Sequence, residues 1–159
     1  MKRALFSLAF ILCTVLSLSA QTEKDFSSRF LEQEGVSAEV NCQTIGPDMI
    51  AQLASSYATQ LSNEEVAQLK NIKSMRVVRS ISTTKVDELF HDALSLLQQD
   101  KGRYYEILSY GEKKLFGRKK NKTIVELILL VREDGFFNLV NLTGTYDEQT
   151  LKQLISKTQ

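Results

Sequence analysis

Glu126 is the residue of this chain whose setting most suggests chemistry, because it is the only charged side chain in the apolar run from Ile124 to Val131. A carboxylate buried in such a run is costly without a partner. With a partner its pKa could be shifted, which is a property of catalytic acids and bases. The alternative is that its face of the strand meets solvent or a neighbouring basic side chain. No partner acid or base can be identified, so the sequence carries no hydrolase signature.

Two further side chains could bind metal or act as a nucleophile. His91, the only histidine, follows Asp87 and Glu88 by about one helical turn, but transition-metal sites usually need more nitrogen or sulfur donors. The helical periodicity places His91 opposite the apolar stripe, which favours a solvated surface position. Cys42 falls in a predicted strand, where we expect a small buried residue, the alternative being a reactive or dimer-forming thiol. We therefore expect no metal and no cofactor.

Positive charge is concentrated between residues 111 and 122. Against Glu112 alone, this segment holds the basic residues Lys113, Lys114, Arg118, Lys119, Lys120 and Lys122. Such a surface could bind an acidic partner protein, lipid-linked phosphates or nucleic acid. The alternative is that charge on an edge strand keeps the protein soluble and prevents edge-to-edge pairing.

The first twenty residues have the pattern of a secretory signal peptide. Lys2 and Arg3 precede an apolar run over residues 4–18, and Ser19 and Ala20 offer a small-residue cleavage point. We expect residues 1–20 to be removed and residues 21–159 to form one exported domain, in the periplasm or cell envelope or released. The apolar run is shorter than the roughly 20 residues of a membrane span, so we expect no transmembrane segment in the mature chain. Export argues against nucleic acid as a partner.

The net charge of the chain also argues against nucleic acid as a partner. The chain has 20 Lys and Arg residues against 19 Asp and Glu residues, and the near balance gives no argument for binding nucleic acid or an anionic membrane. Cleavage would also remove Cys13 and leave Cys42 without an intramolecular partner, so the domain must fold by its core alone.

Hydrophobic periodicity predicts an α+β fold. The expected helices cover residues 23–34 and 85–99 or begin near residues 47, 62 and 147, and the expected strands cover residues 36–45, 74–82, 104–110, 114–120, 123–132 and 136–143. We expect a mostly antiparallel sheet of about four to six strands, with the helices packed mainly on one face. Strand 123–132 should be central and covered on both faces, and strand 114–120 should be a charged edge.

The helix that begins near residue 47 has a clear apolar stripe. Its members follow helical spacing and are Ile50, Leu53, Ala54, Tyr57 and Leu61. The pattern predicts that this stripe faces the core.

Several of these segments together resemble a known family. The strongest are the strand Glu126–Leu130, the Asp134-Gly135 hairpin after it and the Leu142-Thr143-Gly144 ending. Over nearly all of residues 25–155 the chain resembles the small exported Bacteroidetes proteins grouped as domain of unknown function 4252. The resemblance implies a Gram-negative envelope protein and supplies no catalytic residues.

The sequence thus favours an exported, non-enzymatic envelope protein that binds a partner protein or an anionic ligand, with the basic segment as its candidate surface. One alternative is an enzyme with an unfamiliar site around Glu126 or His91, which would need a pocket that joins one of them to other polar groups. A second is a structural envelope component that assembles through a sheet edge.

Overall fold

The computed structural model describes residues 23–34, 40–57, 59–60, 62–80, 82, 84–100, 102–149 and 151. In this part of the chain the helices are α1 (Phe26–Glu34), α2 (Pro47–Ser56), α3 (Asn63–Lys70) and α4 (Val86–Gln99). The strands are β1 (Val40–Ile45), β2 (Ile72–Ser80), β3 (Tyr104–Tyr110), β4 (Lys113–Lys120), β5 (Thr123–Glu133) and β6 (Phe136–Tyr146). The predicted α+β class is confirmed. None of the helices described is long and apolar enough to cross a membrane.

The six strands form one antiparallel sheet in the order β1-β2-β6-β5-β4-β3. Tight turns connect β3 to β4, β4 to β5 and β5 to β6. The last turn contains Gly135 at a φ of 88°, as the Asp134-Gly135 dipeptide predicts, because a left-handed turn favours glycine. The central position predicted for strand 123–132 is confirmed in β5.

The prediction that strand 114–120 is a charged edge is wrong, because β4 pairs with β3 on one side and β5 on the other. An interior position is compatible with the basic side chains of β4, because most of them form ion pairs with acidic residues of other segments. Lys113, for example, pairs with Glu133 at the end of β5, with 3.0 Å between Nζ and Oε1. Among the strands of the described residues, the two at the edges of the sheet are β1 and β3.

Helices α1 and α4 pack on one face of the sheet. The core between them and the strands is built around buried aromatic and aliphatic residues, including Phe26, Phe30, Phe90, Ile128, Leu130, Phe137 and Leu139. Helices α2 and α3 pack against each other and against β2. Helix α3 begins with the predicted capping box, since the Ser62 hydroxyl accepts from the Glu65 amide and the Glu65 carboxylate accepts from the Ser62 amide.

The prediction that the whole α2 stripe faces the core is wrong. Ile50 and Ala54 are buried, but Leu53 and Tyr57 are 41% and 49% exposed and lie beside Met49, which is 54% exposed. The α3 and β2 contacts therefore cover only a narrow line of this helix. Leu61 lies outside the described residues.

Cys42 is also exposed, contrary to the prediction of a buried position. The physical reason is that β1 is an edge strand, with residues 41–44 all exposed. At the C-terminus, the predicted helix is described only in part. The Leu151 amide donates a helical hydrogen bond to the Asp147 carbonyl, and the predicted inward residues Leu154 and Ile155 lie outside the described residues.

Candidate functional site

A register shift in β5 decides where Glu126 points. Ile124 pairs with Tyr146 but Glu126 pairs with Thr143, so the regular alternation is interrupted at Val125. Glu126 is fully buried as a result, and it lies beneath the first residue of α1.

Four donors converge on the Glu126 carboxylate. Oε1 accepts from the Phe26 backbone amide at 2.7 Å and from Asn141 Nδ2 at 3.0 Å. Oε2 accepts from Arg118 Nε at 2.7 Å and from the Tyr104 hydroxyl at 3.1 Å. A buried carboxylate needs such compensation, and a helix N-terminus with its free amides and positive dipole end favours a negative group. Glu126 is thus the anion bound at the N-terminus of α1.

The next two amides of α1 are satisfied in the same way. The Ser27 amide donates to Asn141 Oδ1 at 2.9 Å, and the Ser28 amide donates to Asp25 Oδ1 at 2.8 Å. Burial opposes the charge on Asp25, but the hydrogen bonds from Ser28 and Ser27 and the charge of Arg76 prevail and lower its pKa below its usual value. Side chains of the sheet and of Asp25 therefore fix the start of α1.

Two arginines extend this network. Arg118 also binds Glu23, at 2.8 Å, and Arg29 binds both Asp100 and the Tyr104 hydroxyl. Burial, and then the charge of Glu126, raise the pKa of Tyr104 to about 12, so its hydroxyl remains a proton donor at physiological pH. Burial opposes the charge on Arg118, but its hydrogen bond to Glu126 and the nearby negative charges raise its pKa above the usual value.

This arrangement holds α1 on the sheet and leaves Glu126 little capacity to act as a base. Both of its oxygens already accept two hydrogen bonds, and the carboxylate has no exposed surface. A neighbouring basic side chain is one of the two surroundings that the sequence suggests for Glu126, and Arg118 is such a side chain. Asn141 and Tyr104 are not predicted as partners of Glu126 from the sequence. Asn138 and Asn141 both interrupt the apolar strand 136–143, and only the tertiary structure shows that Asn141 is the one that binds Glu126.

The other predicted site residues do not converge. His91 is exposed on α4, and Asp87 pairs instead with Arg132 at 2.7 Å. Within the described ranges no group of three or more His, Cys, Asp or Glu residues is placed to hold a metal ion.

The predicted basic segment is largely neutralised by ion pairs. Besides the Lys113 and Arg118 pairs already described, Lys119 Nζ lies 2.5 Å from a Glu148 carboxylate oxygen, and Lys114 Nζ lies 3.9 Å from one of Glu106. Lys120 and Lys122 form no ion pair with the residues described. The segment is therefore not one continuous positive surface, and its unpaired charge is at the turn between β4 and β5.

Next to this turn, three neighbouring register shifts open a polar cleft at one end of the sheet. They fall between Ile72 and Ser74 in β2, between Ile124 and Glu126 in β5, and between Arg118 and Lys119 in β4. Irregular pairing of this kind re-aims side chains and is common beside binding and active sites. The cleft has a volume of about 570 Å³.

The lining of the cleft combines hydroxyl and cationic groups from adjacent strands. Ser74 and Thr143 are joined by a hydrogen bond of 2.6 Å between their hydroxyls. Lys73 and Lys120 line the cleft, and neither forms an ion pair within the described part of the chain. Its acidic residues are already engaged, Asp25 by Arg76 and Glu23 by two arginines. The two ammonium groups therefore leave the cleft with unpaired positive charge.

Gly144 lies in the wall of the cleft, at a position where the backbone is too close to another segment for any side chain. A Cβ at this position would lie 2.3 Å from the backbone oxygen of Asn71, which accepts a hydrogen bond from the Thr145 amide. The close approach joins the end of β6 to the connection between α3 and β2.

These features define a small α+β domain with a polar cleft at the irregular end of its sheet and a helix held by a buried carboxylate. A family model described as domain of unknown function (DUF4252) matches residues 37–154, and the chain belongs to this family, which confirms the resemblance. Among curated proteins, none matches the chain significantly.

Proposed function

We propose that the protein is an exported, non-enzymatic envelope protein that binds an anionic group in the cleft beside Thr143. The observation that carries the proposal is the pair of ammonium groups, Lys73 and Lys120, that line the cleft without an ion pair to any described residue. Two unpaired cations beside hydroxyl donors suit a carboxylate or phosphate, which binds through charge and hydrogen bonds together. The signal-like residues 1–20 support export.

The size and composition of the cleft support binding of a small group or of one side chain of a partner protein. Its volume falls within the range of about 300–1,000 Å³ that is usual for small-molecule sites. The hydroxyls of Ser74 and Thr143 bond to each other, so one of the two keeps its proton free to donate to a bound oxygen. The two lysines and the two hydroxyl residues all belong to strands of the sheet, and strands position a site more rigidly than loops do.

The non-enzymatic part of the proposal rests on how the acidic groups are used. Glu126 is saturated by four donors, and the acids that line the cleft, Glu23 and Asp25, are held by arginines. A general base must reach the proton that it removes, and these carboxylates are committed to hydrogen bonds and ion pairs within the fold.

The test is a nuclear magnetic resonance titration of residues 21–159 with inorganic phosphate and, separately, succinate. We expect the amide signals of Thr143, Gly144 and Thr145 to shift with saturation. The double variant Lys73→Gln with Lys120→Gln should lose these shifts, because it removes both unpaired charges from the cleft.

The matched control is Lys122→Gln, which removes an exposed lysine of the same segment that pairs with no acid of the described ranges and does not line the cleft. It should bind as the unchanged protein does. Equal responses from all three proteins, or no saturable shift at the cleft, would contradict the proposal.

A further inference from the structure

The two edges of the sheet are protected very differently. Edge strand β3 has a register shift between Glu106 and Leu108, and Glu106 adds an exposed charge. Irregular pairing and charge are the devices that keep an edge from joining another strand. At the other edge, β1 pairs with β2 in unbroken register along its whole length and carries no charged residue and no proline.

We propose that β1 is a self-association surface, and that it pairs antiparallel with β1 of a second copy of this chain. The backbone groups on the side of β1 that no described strand pairs with supply the hydrogen bonds, and residues 41–44 are all exposed. The pairing joins the two sheets into one continuous sheet. It is independent of the anion-binding cleft, which is lined by residues at the beginning of β2 and β5 and toward the end of β4 and β6.

A second copy is the partner that this edge suits, because a two-fold contact places identical strands against each other. A charged strand would repel itself in that arrangement, whereas β1, with the sequence Val-Asn-Cys-Gln-Thr-Ile, is neutral throughout. A six-residue edge alone is a small contact compared with the roughly 1,000 Å² expected of a stable interface. Helix α2 begins two residues after β1 and packs against the neighbouring strand β2. We assign the additional apolar area of the contact to its exposed side chains Met49, Leu53 and Tyr57.

Symmetry restricts the register of the pair. A two-fold axis perpendicular to the sheet keeps every side chain on its own face, so the residue at the centre must lie opposite its own copy. The two registers that overlap most of β1 are centred on Cys42 and on Gln43. Opposed residues have Cβ atoms about 4.5–5.5 Å apart, and a disulfide needs about 3.5–4.5 Å, so a cysteine at the centre is close to bonding distance.

The experiment uses residues 21–159, in which Cys42 is the sole cysteine. Three proteins are oxidised with copper phenanthroline: the unchanged chain, Cys42→Ser with Gln43→Cys, and Cys42→Ser with Ser109→Cys. The last is the matched control, because Ser109 is an exposed residue of the other edge strand. We expect one of the first two to form the disulfide-linked dimer at least about tenfold faster than the control.

Association is measured in parallel by sedimentation under reducing conditions. We expect a monomer–dimer equilibrium that Gln43→Lys weakens by about tenfold or more, and that Ser109→Lys leaves unchanged. Melting temperatures identify any variant that does not fold. A monomer at concentrations up to about 1 mM would overturn the proposal. So would a dimer indifferent to Gln43→Lys, or cross-linking no faster at residues 42 and 43 than at residue 109.

Discussion

Replacing Glu126 by glutamine tests whether the buried carboxylate holds α1 on the sheet. Glutamine keeps the size of the side chain but offers one acceptor oxygen and turns an amide NH₂ toward the other pair of donors. Either Phe26 and Asn141 or Arg118 and Tyr104 must then lose their acceptor.

The magnitude follows from these contacts. Each buried donor left without an acceptor costs about 1–3 kcal/mol, and removing one partner of a buried ion pair costs about 3–5 kcal/mol. Arg118 keeps its second pair with Glu23, which limits the loss. We therefore expect Glu126→Gln to lower the free energy of unfolding by about 3–4 kcal/mol, a large share of the 5–15 kcal/mol typical of a domain.

The assay is urea denaturation of residues 21–159 followed by circular dichroism, with hydrogen exchange at the Phe26 amide as a local readout. The matched control is Glu23→Gln, which removes the other carboxylate bound to Arg118. Its side chain is 55% exposed, so it should cost less than about 1 kcal/mol. If the two variants differ by less than about 1 kcal/mol, Glu126 does not hold the helix. Exchange at Phe26 shows which pair of donors has lost its acceptor: faster exchange relative to the rest of the domain means that the glutamine oxygen faces Arg118 and Tyr104.

Two further perturbations test neighbouring parts of this structure. The folded-state pKa of Asp25 is lowered, so its stabilisation is present above the usual value of 3.8 and is lost as pH falls through the folded-state pKa. Asp25→Asn should therefore flatten the fall in urea midpoint between about pH 5 and pH 2, and an unchanged slope would exclude this role. Gly144→Ala should lower the free energy of unfolding by about 1–3 kcal/mol, because its Cβ would lie 2.3 Å from the Asn71 backbone oxygen. Urea denaturation measures the change, and a neutral result would show that this contact relaxes freely.

The elements of the fold were largely predictable because their signals are local. Strand 104–110 has its predicted bounds, helix 85–99 begins one residue later than predicted, and the Asp134-Gly135 turn and the Ser62 capping box are present. Turn chemistry, capping and periodicity depend on residues within a few positions of each other. The predicted signal peptide has the same local basis and stays a prediction.

The errors fall where burial depends on distant parts of the chain. Periodicity gave α2 an apolar face, but whether Leu53 and Tyr57 are covered depends on which elements pack beside them. Cys42 has the composition of a buried strand position and is exposed because β1 is an edge. The basic residues of β4 predict an edge strand. The strand is interior, because acidic residues on other segments pair with most of these charges.

The features of the candidate site also separate into those that follow from local sequence and those that depend on tertiary structure. The sequence by itself determined that Glu126 is an isolated carboxylate in an apolar strand and that residues 113–122 are rich in positive charge. Only the tertiary structure decided that Glu126 binds the amide of Phe26, 100 residues earlier, and that Lys73 from β2 joins Lys120 from β4 in one cleft. The physical reason is that side-chain type and spacing set local conformation, whereas strand order and register bring distant charges and donors together.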